Sequence, residues 1–124
     1  MIPFNSFYYF QLRVRLDVSR ANFAEMCQLS DRTLYAIENS KSVSINTHKC
    51  LINFFINYGL LPTELVVPLV MEWNRCFDLN QDLHLSQMSP EAIKEHIELR
   101  HKAFKKQHPE EYKRVKDLLQ RCRK

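Results

Sequence analysis

Apolar residues recur at three- and four-residue intervals along nearly the whole chain, the spacing that gathers side chains on one face of an α-helix. Three consecutive segments open with the same local pattern: an apolar residue, a Ser or Asn, and a second apolar residue five positions after the first. They are Phe4-Asn5 with Tyr9, Val18-Ser19 with Phe23, and Leu29-Ser30 with Leu34. In each, the polar side chain can accept from an orphan amide of a first helical turn while the flanking apolar pair staples the chain, so the pattern predicts three helix starts. Only about eight helical residues and the short connection Gln28-Leu29 separate the second start from the third, the compactness of a helix-turn-helix, which is read over residues 12–59.

A fourth helix is expected from about Ile45, after Ser44, with Leu51, Phe54, Phe55 and Tyr58 as its buried stripe and Gly59 as a left-handed stop. Pro62 suits the first position of a short fifth helix. Pro68 then predicts a kink or a fresh start, followed by Leu69, Trp73, Cys76 and Phe77 as a stripe facing a partner. Residues 78–88 read as a polar loop, Ser89-Pro90 opens another helix, and His108-Pro109 breaks or restarts it before a last stretch carrying Tyr112, Val115, Leu118, Leu119 and Cys122. A single glycine leaves no Asn-Gly hairpin turn, so the fold class is all-α.

Length changes this picture little: 124 residues bury one modest core plus an extension. The division expected is a five-helix unit over residues 1–66 and a C-terminal helical extension over residues 67–124. No run of about 18 apolar residues occurs, and the apolar start from Ile2 to Phe10 lacks the basic flank and small-residue cleavage site of a signal peptide, which points to a soluble, cytoplasmic protein with no membrane partner.

Charge changes it more. The net charge of +4 is unevenly spread: residues 1–70 hold six Lys/Arg against five Asp/Glu, whereas residues 100–124 hold ten against three. Within residues 90–102, Lys94-Glu98 and Glu98-Lys102 have the spacing of helical ion pairs, while the excess beyond Arg100 suits a phosphate or an acidic protein partner. Cys27, Cys50, Cys76 and Cys122 are too far apart for a metal or disulfide framework and read as reduced thiols. His84, His96, His101 and His108 lack ligand spacing, His96 and His101 being five apart, and no cofactor is expected. No nucleophile elbow or phosphate-cradling glycine loop occurs, so an enzyme is not expected either.

One stretch carries a more specific signal. Leu12-Arg13, then Val18-Ser19-Arg20-Ala21-Asn22-Phe23-Ala24-Glu25, then Leu29-Ser30-Asp31-Arg32-Thr33-Leu34-Tyr35-Ala36-Ile37-Glu38-Asn39-Ser40-Lys41, resembles the Cro and phage-repressor type of helix-turn-helix, also called the xenobiotic-response-element family. The likeness covers roughly residues 8–66. It implies a five-helix, repressor-like domain that binds double-stranded DNA as a homodimer. Ala24 is expected where the two helices cross, with Phe23, Cys27, Leu34 and Ile37 as the buried contact.

By the same resemblance, Asp31, Arg32 and Ala36 fall where such repressors read base edges, with Thr33 and Tyr35 beside them. Arg32 would bond guanine, Asp31 would accept from a cytosine amino group, and Ala36 would touch a thymine methyl. Arg20, Ser30, Asn39 and Lys41 match phosphate-gripping positions, and Arg13 with Glu38 matches a salt bridge that ties the first helix to the third. The sequence departs from the pattern at Arg20, where the family has Gln, and at Gln28 and Ser40, where it has Gly. The dimer contact is expected at Leu69, Trp73 and Phe77 or on the C-terminal helices. The alternative is a protein-interaction module on the same fold, such as an antitoxin-like partner binding through its C-terminal region.

Overall fold

The structure is a computed structural model that describes residues 5–39, 44–77 and 89–122. Among these residues every regular element is helical: α1 (Phe7–Leu16), α2 (Arg20–Cys27), α3 (Asp31–Glu38), α4 (Ile45–Tyr58), α5 (Thr63–Phe77), α6 (Pro90–Gln107) and α7 (Pro109–Cys122). The loop expected at 78–88 lies outside the described residues. No helix of the described residues is long and apolar enough to cross a membrane.

Serine side chains start four of the helices. The hydroxyls of Ser19, Ser30, Ser44 and Ser89 accept from the amides of Asn22, Thr33, Thr47 and Ala92, each satisfying one of the donors a first turn leaves over. At α1 the device differs: Ser6 is the N-cap but its side chain makes no capping bond, and Asn5 Oδ1 accepts from the Phe7 amide at 3.2 Å. Gly59 ends α4 at φ +57, in the left-handed region, and a Cβ there would lie 2.6 Å from the ring of His101.

Of the two outcomes expected at Pro68, a kink or a fresh start, the fresh start does not occur. α5 runs unbroken from Thr63 to Phe77 with Pro68 inside it and exposed. A proline at the sixth helical position forfeits one backbone bond, to Glu64, while the helix on either side is held by the burial of Val66, Val67, Leu69, Val70 and Trp73. The partner-facing role expected of this stripe is likewise corrected, because Leu69 is fully buried and Trp73 is 7% exposed within the chain's own core. α5 packs against α1, α4 and α6, so the surface foreseen for a second molecule is covered by the same chain.

One core holds the helices together. α4 lies against α2, α5 and α6, and α7 packs on α2 and α6, so Ile93, Ile97, Val115, Leu118 and Leu119 join the same buried cluster as Tyr9, Phe23 and Leu34. The division expected at 66/67 falls within α5. Several charged groups of the C-terminal stretch are used inside the fold: Arg100 donates to Asn53 Oδ1, and Arg114 donates to the Met26 carbonyl near the end of α2. The helical pair expected between Lys94 and Glu98 is replaced by a bridge of 2.6 Å from Lys94 to Glu64 on α5.

Two histidines give the fold a pH dependence. Burial lowers the pKa of His48, whose Nδ1 lies 3.1 Å from the Tyr9 hydroxyl, and burial with the nearby Arg100 lowers that of His96. The unfolded chain takes up these protons near pH 6.5 and the folded one resists, so stability falls as pH drops from 7 towards 5. Glu64, Glu72 and Glu111 have lowered values and add their own loss only below about pH 4.5. Urea titrations across pH 5–7 are expected to show this decline, with a visibly flatter slope in the variant H48Q/H96Q.

Candidate functional site

α2 and α3 form a tight pair because their facing positions are apolar and small where they must be. Phe23, Cys27, Leu34 and Ile37 are buried between them and the core, and Ala24, 3% exposed, leaves the helices room to approach. The link is three residues, 28–30. Gln28 sits at φ 59 and ψ 38, a left-handed cap without glycine, and the Leu29 amide closes the turn on the Ala24 carbonyl at 2.9 Å. Asp17 takes the same conformation at the end of α1, a strained non-glycine turn that the sequence pattern did not announce.

The pair is anchored to α1 by a mostly buried ion pair. Arg13 Nε and Nη2 donate to the two carboxylate oxygens of Glu38 at 2.6 and 2.9 Å, and Nη1 donates to the Val18 carbonyl at 3.1 Å. One guanidinium thus fixes the end of α1, the approach to α2 and the last turn of α3. With the side chains 14% and 5% exposed, neither charge has water to fall back on.

Solvent meets the opposite face. Asp31, Arg32 and Tyr35 are exposed and Thr33 and Ala36 half-buried, so the five side chains expected to read bases share the outer side and flank of α3. Three of them, however, are engaged by residues expected at phosphates: Asp31 and Tyr35 by Arg20, and Thr33 by Ser30. Arg20, from the first position of α2, binds both oxygens of Asp31, the first residue of α3, at 2.9 and 3.1 Å, and its guanidinium carbon lies 4.9 Å from the centre of the Tyr35 ring. The hydrogen bonds raise the pKa of Arg20 and lower that of Asp31, which keeps both charged.

The residues expected at phosphates have local tasks as well. Ser30 Oγ accepts from the Thr33 amide and donates to Thr33 Oγ1 at 2.7 Å, and Asn39 Nδ2 donates to the Tyr35 carbonyl at 2.9 Å, closing the C-terminus of α3. Lys41, and Ser40 before it, lie outside the described residues. The structure therefore brings together Arg20, Asp31 and Tyr35, couples Ser30 to Thr33 and Asn39 to Tyr35, and leaves Arg32 and Ala36 a turn apart on α3. The Arg20–Asp31 pair had a signal in the sequence: opposite charges each follow a capping serine, at the first position of consecutive helices.

Elsewhere, among the described residues, no three His, Cys, Asp or Glu side chains are grouped to hold a metal ion. Burial raises the pKa of the Cys27 thiol, and that of Cys50, above the ordinary value, which keeps them protonated and weakly nucleophilic.

Fold and site together define an all-helical protein, among its described residues, in which a serine-capped helix pair presents a polar and aromatic face. Comparison of the chain with protein-family models, with curated proteins and with solved structures gives no match.

The anchoring pair yields a direct test. Glu38→Ala strands the Arg13 charge and is expected to destabilise the protein by about 3 kcal/mol, whereas replacing both partners, R13M/E38L, is expected to cost clearly less. Urea denaturation of the two variants against wild type measures the difference.

Proposed function

We propose that the protein is a sequence-specific double-stranded-DNA-binding regulator of the Cro and phage-repressor type, working in the cytoplasm as a homodimer and without a cofactor. The observation that carries this reading is the α2–α3 pair: two eight-residue helices joined by a three-residue turn, packed through Phe23, Ala24, Leu34 and Ile37, with Arg32 and Tyr35 turned to solvent. A helix so mounted has its polar face available to a major groove.

In this reading α1 to α5 form the five-helix DNA-binding unit of residues 1–66, with the extension of residues 67–124 starting midway along α5. Asp31, Arg32, Thr33, Tyr35 and Ala36 read base edges, and Arg20, Ser30, Asn39 and Lys41 approach phosphates. Arg13 and Glu38 hold α3 at its angle to α1. Since Leu69 and Trp73 are covered, the dimer contact falls to the C-terminal helices, where Leu99 of α6 is 59% exposed.

A second reading has an observation of its own. On α1, Phe7, Phe10 and Val14 are exposed at helical spacing, and the α2–α3 face pairs Arg20 with Asp31, so the surface is less basic and more apolar than a nucleic acid alone requires. That favours a protein-interaction module, antitoxin-like in its use of a protein partner.

Selection from a random duplex pool separates the two. The expected result is an inverted repeat with half-sites about one helical turn apart, and Arg32→Ala relaxing the preference at one base pair per half-site by about 1–3 kcal/mol. No enrichment at low salt would overturn the DNA-binding reading in favour of the interaction module.

A further inference from the structure

Arg20 is held by Asp31 and Tyr35 in the protein alone. Arg20 uses the Nε edge of its fork on Asp31, at 2.9 Å from Nε to Oδ1 and 3.1 Å from Nη2 to Oδ2. Two of the five guanidinium donors are engaged, which leaves both hydrogens of Nη1 and one of Nη2 at the far end of the fork. The Tyr35 ring, 4.9 Å from the guanidinium carbon, restrains the same group from a second side. A flexible side chain is thereby held with two N–H groups directed away from the carboxylate, and this end-on pair matches the two acceptors, N7 and O6, that guanine shows in the major groove.

The charges favour a base over a phosphate. A carboxylate at 2.9 Å offsets the guanidinium charge, so the pair exerts little net pull on a phosphate, and Asp31 repels one directly. A guanine edge is uncharged and needs only the two donors, which the ion pair orients without consuming. Asp31 and Tyr35 lie one turn apart on α3, so the fork they hold is carried along the same surface that α3 offers.

We propose that Arg20 reads guanine, positioned by Asp31 and Tyr35, so that the start of α2 as well as α3 sets the sequence bound. The inference rests on the DNA-binding reading above. It moves Arg20 from the phosphate contacts to the base contacts, and makes Asp31 a positioning residue rather than an acceptor for cytosine.

The test uses the full chain and a duplex enriched from the random pool, with each guanine replaced in turn by 7-deazaguanine, which lacks the N7 acceptor. Wild type is expected to lose about tenfold in affinity at one guanine per half-site through Arg20. R20K, which keeps the charge but not the fork, is expected to be insensitive at that guanine and unchanged at the others. D31A is expected to blunt the response at that guanine alone, whereas a merely structural role would weaken every duplex equally.

If R20K matches wild type in affinity and in its response at every guanine, or weakens binding uniformly, Arg20 holds a phosphate and the proposal is overturned. A selected site without guanine overturns it too. A site whose readout depends on Arg32 but not on Arg20 defeats this inference alone, while a wild type that enriches no sequence defeats the DNA-binding reading with it.

Discussion

A line of aromatic rings joins α2, α4 and α6 into a frame on which α3, α5 and α7 pack, with α1 resting on α3 and α5. Phe23 of α2 meets Phe54 of α4 edge-on at 5.3 Å, Phe54 leans on Tyr58 at 5.0 Å, and Tyr58 meets Phe104 of α6 at 4.9 Å. Each buried ring contributes on the order of 2–3 kcal/mol, whereas an exposed ion pair such as Arg20–Asp31 is screened by solvent and adds little to stability. The core therefore fixes the helices and the outer face inherits its geometry. The C-terminal helices reinforce this: the Tyr58 hydroxyl donates to Glu111, its pKa pushed up to about 12 by burial and that carboxylate, and Arg114 beside it reaches the Met26 carbonyl of α2. The far end of the chain thus braces the helix that carries Arg20.

Much of this was legible because the relevant forces are local. A serine cap acts within three residues and an apolar stripe within two turns, so the starts of α2, α3, α4 and α6 and the stop at Gly59 could be read from spacing alone. The buried sets Phe23, Cys27, Leu34 and Ile37, and Leu51, Phe54, Phe55 and Tyr58, followed from the same periodicity. The resemblance placed Arg13 opposite Glu38, a pairing 25 residues apart that periodicity cannot supply.

What escaped depends on which surfaces meet after folding. Pro68 allowed a fresh start because propensity judges a residue by its own backbone, while the five buried neighbours on α5 outweigh one lost hydrogen bond. The stripe of Leu69 and Trp73 looked outward because residues 67–124 were read as an extension apart from residues 1–66, whereas α5 packs on α1 and α4 as well as α6 and the stripe is buried. Lys94 found Glu64 instead of Glu98 for the same reason, an opposite charge on a neighbouring helix competing with one on its own.

Charge summed along the sequence misleads in a related way. Arg13, Arg20, Arg100 and Arg114 donate to acceptors on other elements, so these guanidinium groups act as forks that join helices, while Arg75 pairs with Glu72 on its own helix. Further solvent-facing positive charge lies on lysines of α6 and α7 such as Lys102, Lys106 and Lys113, whose flexible stems suit diffuse attraction and not fixed geometry. If the protein binds DNA as proposed, affinity and discrimination are then separable properties of different residues. In the proposed DNA-binding reading a near-neutral face over α2 and α3 is no obstacle to selective binding, because donors held in place by paired charges would discriminate while exposed lysines of α6 and α7 would supply attraction.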